Sequence, residues 1–136
     1  MLKLLLAIPF LALLAALLLT YLALEIDGVI SIQTLDGNQQ PRVTHVWHVV
    51  HQQRLTLEAG HPDNPWVQDL AGSDQVSVRG DGLDGNYSFV VNRAPSDHQL
   101  IRQLMRKKYG WRDSWISLLF DTSRSAMVQL DPIPNS

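Results

Sequence analysis

From Leu4 to Leu24 the chain carries no charged residue, and only Pro9, Thr20 and Tyr21 interrupt a run of Leu, Ala, Ile and Phe. A bilayer core about 30 Å thick needs roughly 20 apolar helical residues, so this run is long enough to cross. In lipid every backbone polar group must be satisfied within the segment, which makes helix the expected conformation. Pro9 falls in the first turns, where a kink is tolerated. A cleavable secretory signal is the rival reading. Its apolar region is usually about 7–15 residues and ends at an A-x-A-like site. Here the run is longer, and the nearest candidate site, Tyr21-Leu22-Ala23, begins with a bulky Tyr. A buried core helix is disfavoured by the uniform apolarity, which leaves no polar face for water. The sequence therefore predicts a membrane anchor over residues 1–25, with residues 2–24 in contact with lipid, and a second unit over 26–136.

Lys3 precedes the run, whereas Glu25 and Asp27 follow it and the next basic residue is Arg42. The positive-inside tendency then places the N-terminus in the cytoplasm and the domain outside it. The expectation is a single-pass protein of a bacterial inner membrane, its orientation resting on one lysine. Residues 26–136 suffice for one domain with its own core. A formal charge of −2 provides no basic footprint for nucleic acid. With no cysteine there is no disulfide and no thiolate metal site.

Beyond the anchor, short apolar stretches alternate with Gly, Asn, Asp and Pro, the pattern of strands and turns. Strands are predicted at Val29–Thr34, Arg42–Val50, Leu55–Ala59, Gln75–Arg79, Tyr87–Asn92 and Ala126–Leu130. Asp36-Gly37 is a hairpin signal, Trp66–Leu70 a short helical turn, and Gly80–Asn86 a turn-rich connection. One late helix is expected after Pro95, with Ser96 or Asp97 as N-cap, an apolar stripe at Leu100, Ile101, Leu104 and Met105, and a stop at Gly110. Trp115–Phe120 fits helix or strand. The fold class expected is mainly β, a small closed or partly open barrel with one late helix.

Few motifs carry chemistry. His45, His48 and His51 form an H-x-x-H-x-x-H series, but on a strand the outer two lie about 20 Å apart at ~3.3 Å per residue and His48 faces away. They are expected as sheet-surface or turn residues, and no metal site is expected. G-x-S-x-G, H-E-x-x-H and G-x-x-x-x-G-K-S/T are all missing. Asn86-Tyr87-Ser88 is a glycosylation sequon of low specificity. Arg106-Lys107-Lys108 reads as a solvated helix end with favourable dipole placement, or as a contact for phosphate or anionic headgroups.

Three segments point further: Pro41-Arg42-Val43-Thr44-His45-Val46-Trp47-His48-Val49, Arg54-Leu55-Thr56-Leu57, and Ala59-Gly60-His61-Pro62-Asp63-Asn64-Pro65-Trp66-Val67-Gln68-Asp69-Leu70. Together with Val76-Ser77-Val78, Lys108-Tyr109-Gly110-Trp111 and the tail Ala126–Pro132, they resemble the deazaflavin-dependent nitroreductase family. That family belongs to the flavin-binding split β-barrel superfamily typified by pyridoxamine 5′-phosphate oxidase. The resemblance implies a split barrel and a flavin (FMN) or deazaflavin coenzyme. It also implies hydride transfer to a small quinone- or nitro-type acceptor, and a homodimer. On that basis Arg42 contacts phosphate, Thr44 and Trp47 line the cofactor strand and Gly60 to Trp66 rim the ring; Lys107 and Lys108 are expected to take the phosphate if the helix end folds over the barrel. The family's Thr-Gly-Arg-x-Ser/Thr-Gly-Lys phosphate turn is replaced by Thr34-Leu35-Asp36-Gly37-Asn38-Gln39-Gln40, which puts Asp36 and Gln40 where cations are expected. The alternative is a non-catalytic split barrel that binds a small ligand, a partner protein or haem, with His61 or His98 as axial ligand.

Overall fold

A computed structural model describes the chain over residues 2–134. An N-terminal helix, α1 (Leu2–Glu25), leads into β1 (Val29–Leu35), β2 (Pro41–His51) and β3 (Arg54–Ala59). A short helix, α2 (Pro65–Asp69), runs into a single 3-10 turn. β4 (Gln75–Gly80), β5 (Leu83–Asn92), α3 (Pro95–Tyr109), α4 (Trp111–Leu119) and β6 (Ala126–Pro132) complete the chain. The six strands close into an antiparallel barrel in the order β1-β2-β3-β6-β5-β4.

The period-two alternation of apolar residues sets the register, since a one-residue slip would turn each strand's buried face outward. Ile30 and Ile32 of β1, Val46 of β2, Leu55 and Leu57 of β3, Val76 and Val78 of β4, and Val128 and Leu130 of β6 fill the interior. Trp66, Val67 and Leu70, from α2 and the 3-10 turn, join this core. On the outside, the stripe of α3 covers the sheet: Ile101, Met105 and Tyr109 pack on Val49 and Met127.

Several local expectations change. The connection expected over Gly80–Asn86 is only two residues wide: Asp81 and Gly82 take φ of +51° and +76°, and β5 already begins at Leu83. Two consecutive left-handed residues make the hairpin whose twist matches its strands, so Asp84, Gly85 and Asn86 are strand residues paired with β4. The α3 N-cap is Ala94, with Pro95 at the first helical position, in place of Ser96 or Asp97. Gly110, at φ +56°, ends α3 as expected. The segment ambiguous in sequence is helical, so Gly110 separates two late helices.

The anchor segment is one continuous helix, of which Ala7–Glu25 is long and apolar enough to cross a membrane. Its C-terminal end is fastened to the barrel by Arg112, whose Nε donates to the Ala23 carbonyl at 2.6 Å and whose terminal nitrogens donate to Asp27. Carbonyls of a last helical turn lack intrahelical partners, and a buried guanidinium here satisfies one of them.

Candidate functional site

Beside the last turn of α1 lies an open cavity of about 760 Å³. Residues 42–47 of β2 form its floor, and Glu58, Gly60, His61 and the start of α2 (Asn64, Pro65, Trp66) form one wall. Arg102 of α3 and Asp113, Ile116 and Phe120 of and beyond α4 continue the lining from Glu58, and Leu24 and Glu25 complete it. The volume falls within the roughly 300–1,000 Å³ of pockets that take one small organic ligand. Five residues assigned by resemblance (Arg42, Thr44, Trp47, Gly60 and Trp66) line it.

At the back of the cavity sits a buried ion network that the sequence reading missed. Arg102 Nη1 bonds both Glu58 carboxylate oxygens at 2.7 and 2.8 Å, and Nη2 bonds Asp113 Oδ1 at 2.6 Å and Ser117 Oγ at 2.8 Å. Burial acts to lower the Arg102 pKa, but the charges and hydrogen bonds of Glu58 and Asp113 together outweigh it, and the pKa is raised. Asp113 Oδ2 is buried without a hydrogen-bond partner. Arg106, which is exposed, approaches the same Oδ2 at 3.8 Å, so Asp113 stands between two arginines. The available signal was position: Arg102 is next to buried Ile101 and three residues before buried Met105, at the edge of the stripe that meets the sheet.

The phosphate contacts expected by resemblance fit poorly. Arg42 Nε is held by Asp69 Oδ2 at 2.8 Å, and the same oxygen accepts from Thr34 Oγ1 at 2.7 Å. In the β1–β2 turn, Asp36 Oδ1 accepts from the amides of Asn38 and Gln40 at 2.8 and 2.9 Å. Those backbone bonds hold the Asp36 carboxyl below its ordinary pKa. Thus a carboxylate of the chain itself occupies the turn amides, and an incoming phosphate would meet like charge.

Lys107 and Lys108 stand apart from the cavity, and Lys107 is exposed. Lys108 Nζ donates to the His48 carbonyl at 2.6 Å and lies 3.3 Å from His48 Nε2, which also meets Asp81 Oδ2 at 3.1 Å. His48 is therefore buried, not on the sheet surface, because the strands of the barrel and the end of α3 enclose it. Burial lowers its pKa and the Lys108 charge adds to this, against the opposing pull of Asp81. Burial also lowers the Lys108 pKa. The Tyr109 hydroxyl accepts from His48 N–H and donates to the Gly28 carbonyl at 2.6 Å. Burial pushes its pKa up to about 12. Its ring stacks on Trp47 at 4.3 Å, with Arg112 over both rings. Trp47 is accordingly fixed in orientation, its Nε1 donating to the Leu24 carbonyl at 3.2 Å.

His45 is exposed and bonded to Glu25 at 2.9 Å. Among the described residues no group of three or more side chains could hold a metal ion. Of the two histidines considered as haem ligands, His61 lines the main cavity. His98 lies in a separate one of about 340 Å³, with Nδ1 against the Ser125 carbonyl at 2.9 Å.

A closed six-stranded antiparallel barrel with α3 across its outer face defines a split-barrel protein, and the structural neighbours of the chain are split barrels of the pyridoxamine 5′-phosphate oxidase type. The haem storage protein HutZ from Vibrio cholerae is 15% identical, with 79% of this chain and 83% of that one covered at a TM-score of 0.56. A nimC/nimA family protein from Clostridium acetobutylicum is 13% identical, with coverages of 75% and 72% and a TM-score of 0.55. A Listeria innocua protein assigned as a pyridoxamine 5′-phosphate oxidase is also 13% identical, with coverages of 82% and 89% and a TM-score of 0.55. These likenesses establish the fold and agree with the superfamily that the sequence resembles. No protein-family model and no curated protein matches the chain.

Proposed function

We propose that the chain is a membrane-tethered split barrel whose cavity binds a planar, largely apolar ring compound of the quinone or nitroarene class, taken up at the lipid surface. The observation that carries this reading is the position of the cavity: the last turn of the apolar helix is part of its lining, with Trp47, Trp66, Ile116 and Phe120. The aromatic and aliphatic part of the lining favours a flat apolar ligand, and polar residues among the rest, such as Thr44, His61 and Asn64, would fix its orientation. The carboxylates that line the cavity, Glu25, Glu58, Asp113 and Asp121, outnumber its arginines, Arg42 and Arg102, and disfavour anionic ligands. The test is titration of the detergent-solubilised full chain with menadione, followed by calorimetry. Saturable binding is expected, several-fold weaker in Phe120→Ala, whose side chain is exposed enough to be truncated without opening the core. Absence of binding, or unchanged affinity in the variant, refutes the assignment.

A second reading, favoured by the five cofactor-strand and rim residues that share the cavity, is an oxidoreductase. In it a flavin or deazaflavin would supply hydride chemistry. The cavity is large enough for the ring, but the self-filled Asp36 turn and the Arg42–Asp69 pair do not suit the phosphate. No reaction step is therefore assigned. Titration with FMN and with a deazaflavin coenzyme decides: a bound chromophore supports the enzyme, and a protein that binds neither is a ligand-binding barrel. The same preparation titrated with haemin tests the haem alternative, and its sedimentation tests the homodimer.

A further inference from the structure

α4 is built inside out. Its charged residues Arg112 and Asp113 are buried, with side chains 7% and 2% exposed, whereas Trp111, Leu118 and Leu119 are 55%, 77% and 48% exposed. Trp111, Trp115, Leu118 and Leu119 recur at i, i+4, i+7 and i+8, so they form one stripe along the helix. A surface helix in water turns that stripe to the core and its charges outward. The reverse arrangement needs a different solvent on the outer side.

The position of α4 identifies that solvent. Trp115 Nε1 donates to Thr20 Oγ1 of α1 at 3.0 Å. Thr20 lies within the apolar span Ala7–Glu25, five residues before its end. At a rise of about 1.5 Å per residue, Trp115 meets α1 about 7.5 Å inside that end. Amphipathic helices that lie in a membrane surface bury their apolar face about 5–10 Å into the boundary between headgroups and acyl chains, and Trp favours the same zone. Arg106 and Lys107, on the last turn of α3 just before α4, add exposed cations on the approach to that surface, which suits anionic headgroups.

We propose that α4 is a second membrane contact, a short helix lying in the headgroup boundary alongside the spanning helix and seating the barrel on the lipid surface. This inference rests on the reading of α1 as a bilayer-spanning anchor. It also deepens the proposed function: Ile116 and Phe120 belong both to this segment and to the cavity wall, so the cavity mouth sits at the lipid boundary where an apolar ring compound partitions.

The chain has no cysteine, so single-cysteine variants of the full protein carry one nitroxide label without background. Leu118→Cys, Leu14→Cys and Gly37→Cys are each labelled and reconstituted into vesicles of phosphatidylcholine and phosphatidylglycerol. Collision with oxygen is then compared with collision with a water-soluble nickel reagent. The expected result is several-fold preference for oxygen at 14 and at 118, and preference for nickel at 37, in the exposed β1–β2 turn. A label at 118 that favours nickel while the label at 14 favours oxygen overturns the placement of α4 and leaves the anchor intact. A label at 14 that favours nickel overturns the anchor itself, a separate failure. Dipolar broadening between labels at 118, lost on dilution with unlabelled protein, would assign the face to a second copy of the chain and overturn the lipid contact.

Discussion

Removal of the Arg102 guanidinium exposes how the cavity wall is held. Its side chain is 12% exposed, and the two carboxylates it joins, Glu58 and Asp113, are 9% and 2% exposed. Arg102→Ala leaves both anions in a site that water scarcely reaches. Breaking a buried ion pair by deleting one partner costs about 3–5 kcal/mol, because the remaining charge loses its compensation. Arg106 offers little relief: it approaches Asp113 at 3.8 Å and is 71% exposed, where such pairs contribute up to about 1 kcal/mol. The expected loss is thus about 4 kcal/mol, a large part of the roughly 5–15 kcal/mol by which domains are stable. Arg102→Lys keeps the charge but cannot fork to both acids and the Ser117 hydroxyl at once, so its loss should be about half as great. Urea unfolding of the full chain in detergent, followed by tryptophan fluorescence, gives these differences from midpoints at constant slope. The triple variant Arg102→Met, Glu58→Gln, Asp113→Asn removes all three charges and should recover most of the loss. If Arg102→Ala falls within about 1 kcal/mol of the parent, the network is solvated and the account of the wall is wrong.

Three further outcomes are expected. His48 has a folded-state pKa below its ordinary value of 6.5, so the unfolded chain takes up the proton first. Stability is then full above about pH 6.5 and declines as pH falls toward the folded pKa. His48→Gln should flatten that slope in urea midpoints measured from pH 7 down to about pH 5. In the β2–β3 turn, Gln52 and Gln53 hold φ of +50° and +65°, a conformation costing about 1–2 kcal/mol for a residue with a Cβ. Gln53→Gly should raise thermal stability by about 1 kcal/mol, and a loss would refute the turn. The double variant Asp36→Ser, Gln40→Lys frees the turn amides and supplies a cation. It should raise FMN affinity at least about tenfold, given about 1.5–3 kcal/mol for a charge-assisted hydrogen bond and 1.4 kcal/mol per decade. No gain would show that the turn is not where phosphate is excluded.

Legibility in the sequence followed the range of the forces involved. The strands were readable because Ile30, Ile32, Val76 and Val78 repeat at the period of a pleated strand, and α3 because Leu100, Ile101, Leu104 and Met105 repeat at that of a helix. The β5 start was missed because Asp84-Gly85-Asn86 has the composition of a turn, and only pairing with β4 overrides it. His48 read as a surface residue because its burial comes from β1, the Asp81 turn and the end of α3, all distant in sequence. The cavity floor was legible through resemblance of the Pro41–Val49 segment. Glu58, Arg102 and Asp113 were not, since no local pattern tells that three charges from β3, α3 and α4 converge.

The inverted polarity of α4 and the cavity have one physical cause. Burying Arg112 lets it cap the Ala23 carbonyl in the last turn of α1 and clamp Asp27, and burying the adjacent Asp113 lets it face Arg102. With Asp113 turned inward, helical geometry sends Trp111 and Leu118 outward, since they lie on the face opposite it, while Arg112 sits at the edge of the apolar stripe beside Trp115 and Leu119. The burial of Asp113 therefore turns this stripe outward. The same rotation of α4 places Ile116 and Phe120 over the floor of β2. Arg112 is thus the residue through which the anchor, the outer stripe and the cavity wall are mechanically joined.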